Sequence, residues 1–180
     1  MNVEKLTARA KALGATNTAV VSVADIVFDT QFRTLCERNA CGKYHTNYTC
    51  PPLCGTIEAC MERVRRYQTG VIVQLIAPLE DSFDWEGMIK AKDQHVSIMC
   101  ELKANMAELV PNADFFALGA GGCSVCEQCG CVDGIPCRHP DQKMSSVEAY
   151  GMDVTQLARL GNLPFSWSEA AVYYIGIFLF

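Results

Sequence analysis

Cys123, Cys126 and Cys129 stand at C-x2-C-x2-C spacing in the stretch Gly119 to Cys137, GAGGCSVCEQCGCVDGIPC, with Cys131 and Cys137 close behind. Three thiolates two residues apart can wrap one corner of a small inorganic cluster, and the same run opens the bacterial ferredoxin ligand pattern. In that pattern a fourth cysteine lies further along and precedes a proline; here Cys137 is the later cysteine, and Pro140 follows it three residues on. The glycines before Cys123 suit a backbone that approaches a bulky group and offers it N–H donors. Phosphate is a weaker occupant, because neither a Lys-Ser/Thr pair nor a helix start follows. The stretch therefore predicts an iron–sulfur cluster, with Cys137 or Cys131 as its fourth ligand.

A second cysteine-rich segment precedes it, CERNACGKYHTNYTCPPLCGTIEAC, from Cys36 to Cys60. It offers five thiols where one cubane takes four. Cys36, Cys41, Cys50 and Cys60 are the expected ligands, with Cys54 the spare. Pro51-Pro52 forbids regular helix and restricts the backbone at Cys50.

Composition narrows the function classes. The chain has 180 residues, half of them hydrophobic, enough to bury one real core, so a single domain over 1–180 is expected. A net charge of −5 leaves no basic stripe for nucleic acid. No apolar run reaches the roughly 18 residues that span a bilayer, and MNVEKLTARAKALG lacks the apolar centre of a signal peptide. A cytoplasmic protein is expected. Eleven cysteines there are poor disulfide material, and an odd number cannot all pair within one chain. Metal or cluster ligation explains them better.

The positioning elements read as alternating helices and strands. Val3 to Leu13 has a helical apolar face that Gly14 stops; Thr18 to Ala24 reads as a strand; Asp25 to Leu35 is a loop or a short helical approach to the first cysteines. Thr56 caps a helix over 57–67 that carries Cys60 in its first turn. VIVQLIA after Gly70 is a central strand buried on both faces. Asp84 to Leu109 is the longest helix, with Trp85, Met88, Ile89, Val96, Met99 and Met106 on its apolar side. Ala113 to Leu118 is a strand feeding the cysteine-rich centre. Ser145 and Glu148 have capping-box spacing, Asp153 caps a helix over 154–160, and AAVYYIGIFLF closes the chain as a strand. These elements predict an α/β sandwich: a roughly four-stranded mixed sheet, flanking helices and two cysteine-rich loops at one end.

CGKYHTNYTCPP, GGCSVCEQC, PCRHP and SSVEAYGMDV, with the terminal apolar strand, together resemble one family. It is a family of predicted metal-binding proteins common in anaerobic bacteria and archaea, whose domain is catalogued as domain of unknown function 2284. The resemblance runs from the first cysteines to Phe180. It implies metal ligands at Cys36, Cys41, Cys50 and Cys60 and at Cys123, Cys126, Cys129 and Cys137, with Cys54, Cys100 and Cys131 as extras. It implies no particular reaction.

The blander readings stand beside these. A structural zinc site also uses four cysteines, often as paired C-x2-C knuckles. Cys100, among Ile98, Met99 and Leu102, reads as a core residue. His45 and His139 can complete a site short of one thiolate or donate hydrogen bonds to one, and His95 reads as a surface residue. Arg138 can offset cluster charge or make an ordinary ion pair. Three function classes follow. The first is single-electron transfer by two [4Fe-4S] clusters to a basic redox partner protein in anaerobic metabolism. The second is an iron–sulfur enzyme with an open iron, using Glu148, His45 or Ser145 in acid–base roles. The third is a zinc-stabilised binding module. No nucleophile elbow, H-E-x-x-H or dinucleotide fingerprint signals a further reaction.

Overall fold

The computed structural model describes residues 3–166 and 170–180. In chain order the elements are α1 (Glu4–Ala12), β1 (Asn17–Ser22), α2 (Gln31–Glu37), α3 (Ile57–Arg65), β2 (Thr69–Pro78), α4 (Trp85–Ala104), α5 (Met106–Leu109), β3 (Phe116–Gly119), β4 (Ser145–Ser146), α6 (Val154–Leu160) and β5 (Ala171–Leu179). Among the described residues the strands form one sheet in the order β1-β2-β5-β3-β4. Its first three pairings are antiparallel, and β3 with β4 is parallel. This is the expected mixed α/β architecture, with one more strand.

Side chains of a strand alternate between the two faces of a sheet, and both faces here are covered. Val71, Val73 and Leu75 of β2 and Phe178 of β5 pack with Leu6, Ala10, Ile98, Met99 and Leu102 from α1 and α4. Ile72 of β2 and Ile175, Ile177 and Leu179 of β5 point the other way, onto Val64, Leu157, Ala158 and Tyr150. Helix starts follow the cap residues read from sequence. The Thr56 hydroxyl accepts from the Ala59 N–H at 3.2 Å, the Asp84 carboxylate from Gly87 at 2.8 Å and the Asp153 carboxylate from Thr155 at 2.7 Å.

Four local expectations change. The Ser145–Glu148 pair does not open an α-helix: Ser145 and Ser146 pair with Leu118 and Gly119 as β4, and Glu148 begins a single 3-10 turn. The turn's capping oxygen belongs to Ser146, which accepts from the Ala149 N–H at 3.2 Å. The long helix stops at Ala104, because the Asn105 side chain donates back to the Glu101 carbonyl at 2.8 Å and α5 starts anew. Its apolar side also differs, since Trp85 is 70% exposed and Ile89 lies outside the core.

The fourth change is His95, which is fully buried rather than on the surface. It occupies the core-facing side of α4 with Ala91, Ile98, Met99 and Leu102. Its Nε2 lies 3.4 Å from the Val73 carbonyl, and its Nδ1 is buried with no partner among the described residues. Burial, partly opposed by that carbonyl, depresses its pKa from 6.5 to about 4. A histidine depressed in the folded state contributes stability that is present above its unfolded pKa of about 6.5 and lost as pH falls toward about 4. Between pH 7 and pH 5 the loss from this one residue is therefore about 2 kcal/mol, at 1.36 kcal/mol per unit. Urea unfolding at the two pH values should show that loss in the wild type and a flatter profile in His95→Leu; equal pH dependence in both proteins would contradict it.

Candidate metal centre

Gly119 ends β3 and Ser145 begins its parallel neighbour β4, so the second cysteine segment is the crossover between two adjacent parallel strands. Such crossovers are usually helical. Here the described crossover holds only a 3-10 turn, Gly130–Asp133, ended by Gly134 in the left-handed region at φ +68°. An irregular connection of this length inside a compact domain points to function rather than to economy of folding. The first segment lies on the same side of the sheet, where Tyr48, Thr49, Leu53 and Cys54 share a cleft with Phe116, Ala117 and Ser145.

Direct bonds tie the two segments together. The buried Asn47 amide donates to the Cys123 carbonyl at 2.8 Å, while its oxygen accepts from the Thr49 N–H at 3.0 Å and the Thr49 hydroxyl at 2.9 Å. That hydroxyl oxygen in turn accepts from the Cys123 N–H at 3.1 Å. Tyr48 donates to the Ile135 carbonyl at 2.8 Å. The backbone at Gly122 passes so close to the first segment that a Cβ there would stand 2.9 Å from the Cys50 sulfur. A side chain at position 122 would have to displace that thiol.

Cys123, Cys126, Cys129 and Cys137 line one recess, closed on its other side by Asn47, Tyr48 and Thr49 and bordered by Arg138, His139 and Lys143. These are the four expected ligands of this segment. Cys131 lies against Cys129. Burial by itself would raise the Cys129 thiol, but N–H groups of Cys131 and Tyr48, the Cys131 thiol and the Arg138 guanidinium together hold it below its ordinary value. Arg138 is fixed by the Gln128 carbonyl at 3.1 Å and Asp133 at 3.3 Å. Cys100 is half-buried against the core, as expected of a packing residue, yet it also borders a second recess shared with Cys123 and Gly119 to Gly122. Burial raises its thiol; Lys103 lowers it and Cys123 raises it further.

The first group is arranged around Arg33 of α2, a residue that carried no signal in the sequence. Its guanidinium reaches the Cys54 sulfur at 3.8 Å, the Cys60 sulfur at 3.6 Å and the Ala149 carbonyl at 3.2 Å. Cys36 is raised by burial first, then lowered by Arg33 and raised by Cys41, Glu148 and Cys54. Cys50 is pushed up to about 11, chiefly by burial, with Cys41, Cys54 and Cys36 adding to it. Cys54 and Cys60 share a hydrogen bond that holds Cys54 down to about 6 and drives Cys60 up. Cys54, expected as a spare, thus sits inside the group. His45 is exposed and its backbone N–H bonds to the Pro51 carbonyl at 2.9 Å.

Among the described residues no three His, Cys, Asp or Glu side chains converge tightly enough to hold a single ion as they stand. What fits a thiolate-bound group is the donor set, which is sulfur-rich and matches iron–sulfur or zinc chemistry. Arg33 Nε, buried without a partner among the described residues, is a donor still lacking an acceptor beside the first group.

A family model described as a predicted metal-binding protein (DUF2284) matches residues 19–180. No curated protein and no solved structure matches the chain. Among the described residues no helix is long and apolar enough to cross a membrane.

The Asn47 side chain makes three bonds, one to the Cys123 carbonyl across the segments and two to Thr49, and truncating it leaves these buried partners unpaired. Asn47→Ala should cost about 1–3 kcal/mol of stability. It should also speed alkylation of Cys123 in metal-free protein, read by mass spectrometry of the labelled peptide. Unchanged labelling would show that the clasp does not hold the second segment.

Proposed function

Because the chain belongs to this family of predicted metal-binding proteins, we propose that its two cysteine segments hold two iron–sulfur clusters of the four-iron type and that the protein transfers single electrons. The observation that supports this most directly is the recess lined by all four thiols of the C-x2-C-x2-C…C run, walled by Asn47 to Thr49 of the other segment. A zinc knuckle has no use for a third cysteine at that spacing. Bound there, the clusters supply the capacity to take up and release one electron at a time.

The chain's own residues do the rest. N–H groups of Tyr48 and Cys131 directed at Cys129, and the Arg138 guanidinium near it, favour added negative charge and so raise the potential of whatever Cys129 binds. Arg33 serves the first group in the same sense. The contact of Gly122 with Cys50 sets the two thiol groups side by side, which suits exchange of electrons between them. With a net charge of −5, the protein suits a redox partner that presents a basic docking face.

A second reading, chemistry on a small molecule at an open iron of the first group, is favoured by Glu148. Its carboxyl is raised by burial, influences Cys36, and lines a cavity with Gly121, Phe165, Tyr173 and Tyr174. Cyanide added to the reduced protein would alter its electron paramagnetic resonance only under this reading.

Protein purified without oxygen should contain about eight iron and eight sulfide per chain and bleach with dithionite. Cys126→Ser should lose about half of both. Colourless protein holding zinc and no sulfide would exclude the iron–sulfur reading and leave a zinc-stabilised binding module; Cys126→Ser with full iron would exclude the ligand set of the second segment.

A further inference from the structure

The first segment carries one thiol more than a four-iron cluster takes. Resting on the reading of this segment as a cluster site, we propose that Cys36, Cys41, Cys50 and Cys54 hold the cluster. Cys60, with Arg33, is then a positioning residue behind Cys54, outside the cluster.

Local backbone places Cys54 with Cys50. The Cys54 N–H donates to the Cys50 carbonyl at 3.0 Å, closing a tight turn through the cis Pro51-Pro52 peptide. The bond keeps the backbones of Cys50 and Cys54 close in space. Cys41, Cys54 and Cys36 are electrostatic neighbours of Cys50, and Cys41 and Cys54 are neighbours of Cys36. Cys36 and Cys50 thus share Cys41 and Cys54 as neighbours.

Cys60 meets these thiols at Cys54, from the side of the apolar core. Gly55, in the left-handed region at φ +108°, turns the chain away after Cys54, and Thr56 then caps α3 with Cys60 in its first turn. Cys60 is only 2% exposed and belongs to the apolar core with Val64, Ile26, Tyr150 and Met152. Its thiol donates to the Cys54 carbonyl at 3.5 Å. Moving it onto a cluster would pull the first turn of α3 out of that core, whereas Cys54 is only half-buried, in the loop before the helix. Arg33 completes the support. It touches both sulfurs, anchors on the Ala149 carbonyl, and keeps its buried Nε for an acceptor such as a cluster-bound sulfur. A cationic group so placed offsets the negative charge of a thiolate-ligated cluster and raises its potential.

The test uses the full chain, reconstituted with iron and sulfide without oxygen, with alanine variants so that no hydroxyl replaces a thiolate. Cys54→Ala should lose about half the iron and sulfide, and Cys60→Ala should retain both in full. Arg33→Gln should keep its iron but shift one midpoint potential to more negative values, leaving the other unmoved. In every variant the cluster of the second segment reports that the chain is folded. Retention of both clusters by Cys54→Ala overturns the proposal, as does loss of a cluster from Cys60→Ala whether or not Cys54→Ala loses one. An unmoved potential in Arg33→Gln overturns the role given to Arg33. Wild-type protein that takes up no iron removes the cluster reading itself, an outcome distinct from these.

Discussion

The arrangement of the cysteines depends on one small polar clasp, in which Asn47 and Thr49 of the first segment grip both the carbonyl and the N–H of Cys123. Two irregular loops have little apolar surface with which to hold each other. Buried amide bonds with all partners satisfied can do so, because each lost partner leaves a desolvated group unpaired. Asn47 and Thr49 are both buried, so the clasp works where water does not compete. From it follow the wall of the second recess and the approach of Gly122 to Cys50.

The sheet supplies the frame to which that clasp is attached. β2 and β5 pair along nine residue positions with apolar side chains on both faces, forming the centre of the sheet. The edge beyond β3 is different. β4 contributes only two residues, and the route to it is the second cysteine segment itself. The weakest edge of the sheet therefore depends on the loop that carries the chemistry. Metal binding, which in such sites contributes to folding directly, would stabilise the edge and the site together.

Much of this was legible in the sequence. The central strands, the caps at Thr56, Asp84 and Asp153, and the recess formed by Cys123, Cys126, Cys129 and Cys137 follow from patterns within a few residues of each other. Ser145 and Ser146 pair with β3 across a loop, and no local pattern distinguishes that from a helix cap. His95 is polar, and its polarity points outward, although it stands at helical spacing with Ala91, Ile98 and Leu102 and packs over Val73. Arg33 is the single arginine of the ambiguous stretch 25–35, and no local pattern ties it to a thiol. Its meeting with Cys54, Cys60 and Ala149 joins three regions far apart in the chain.

The surplus of thiols in the first segment also has a physical sense. A ligand at the mouth of a loop needs something firm behind it, since a thiolate free to swing costs entropy when it is fixed. A thiol rooted in the first turn of a capped helix, in contact with a guanidinium that is itself tied to a backbone carbonyl, provides that firmness. Serine at position 60 would offer a similar bond, but it would place a hydroxyl in an apolar cluster containing Val64, Tyr150 and Met152. Cysteine packs there as a small hydrophobe and still donates weakly through its S–H group. Under the proposed ligand set, packing and support explain its presence in a cysteine-rich segment.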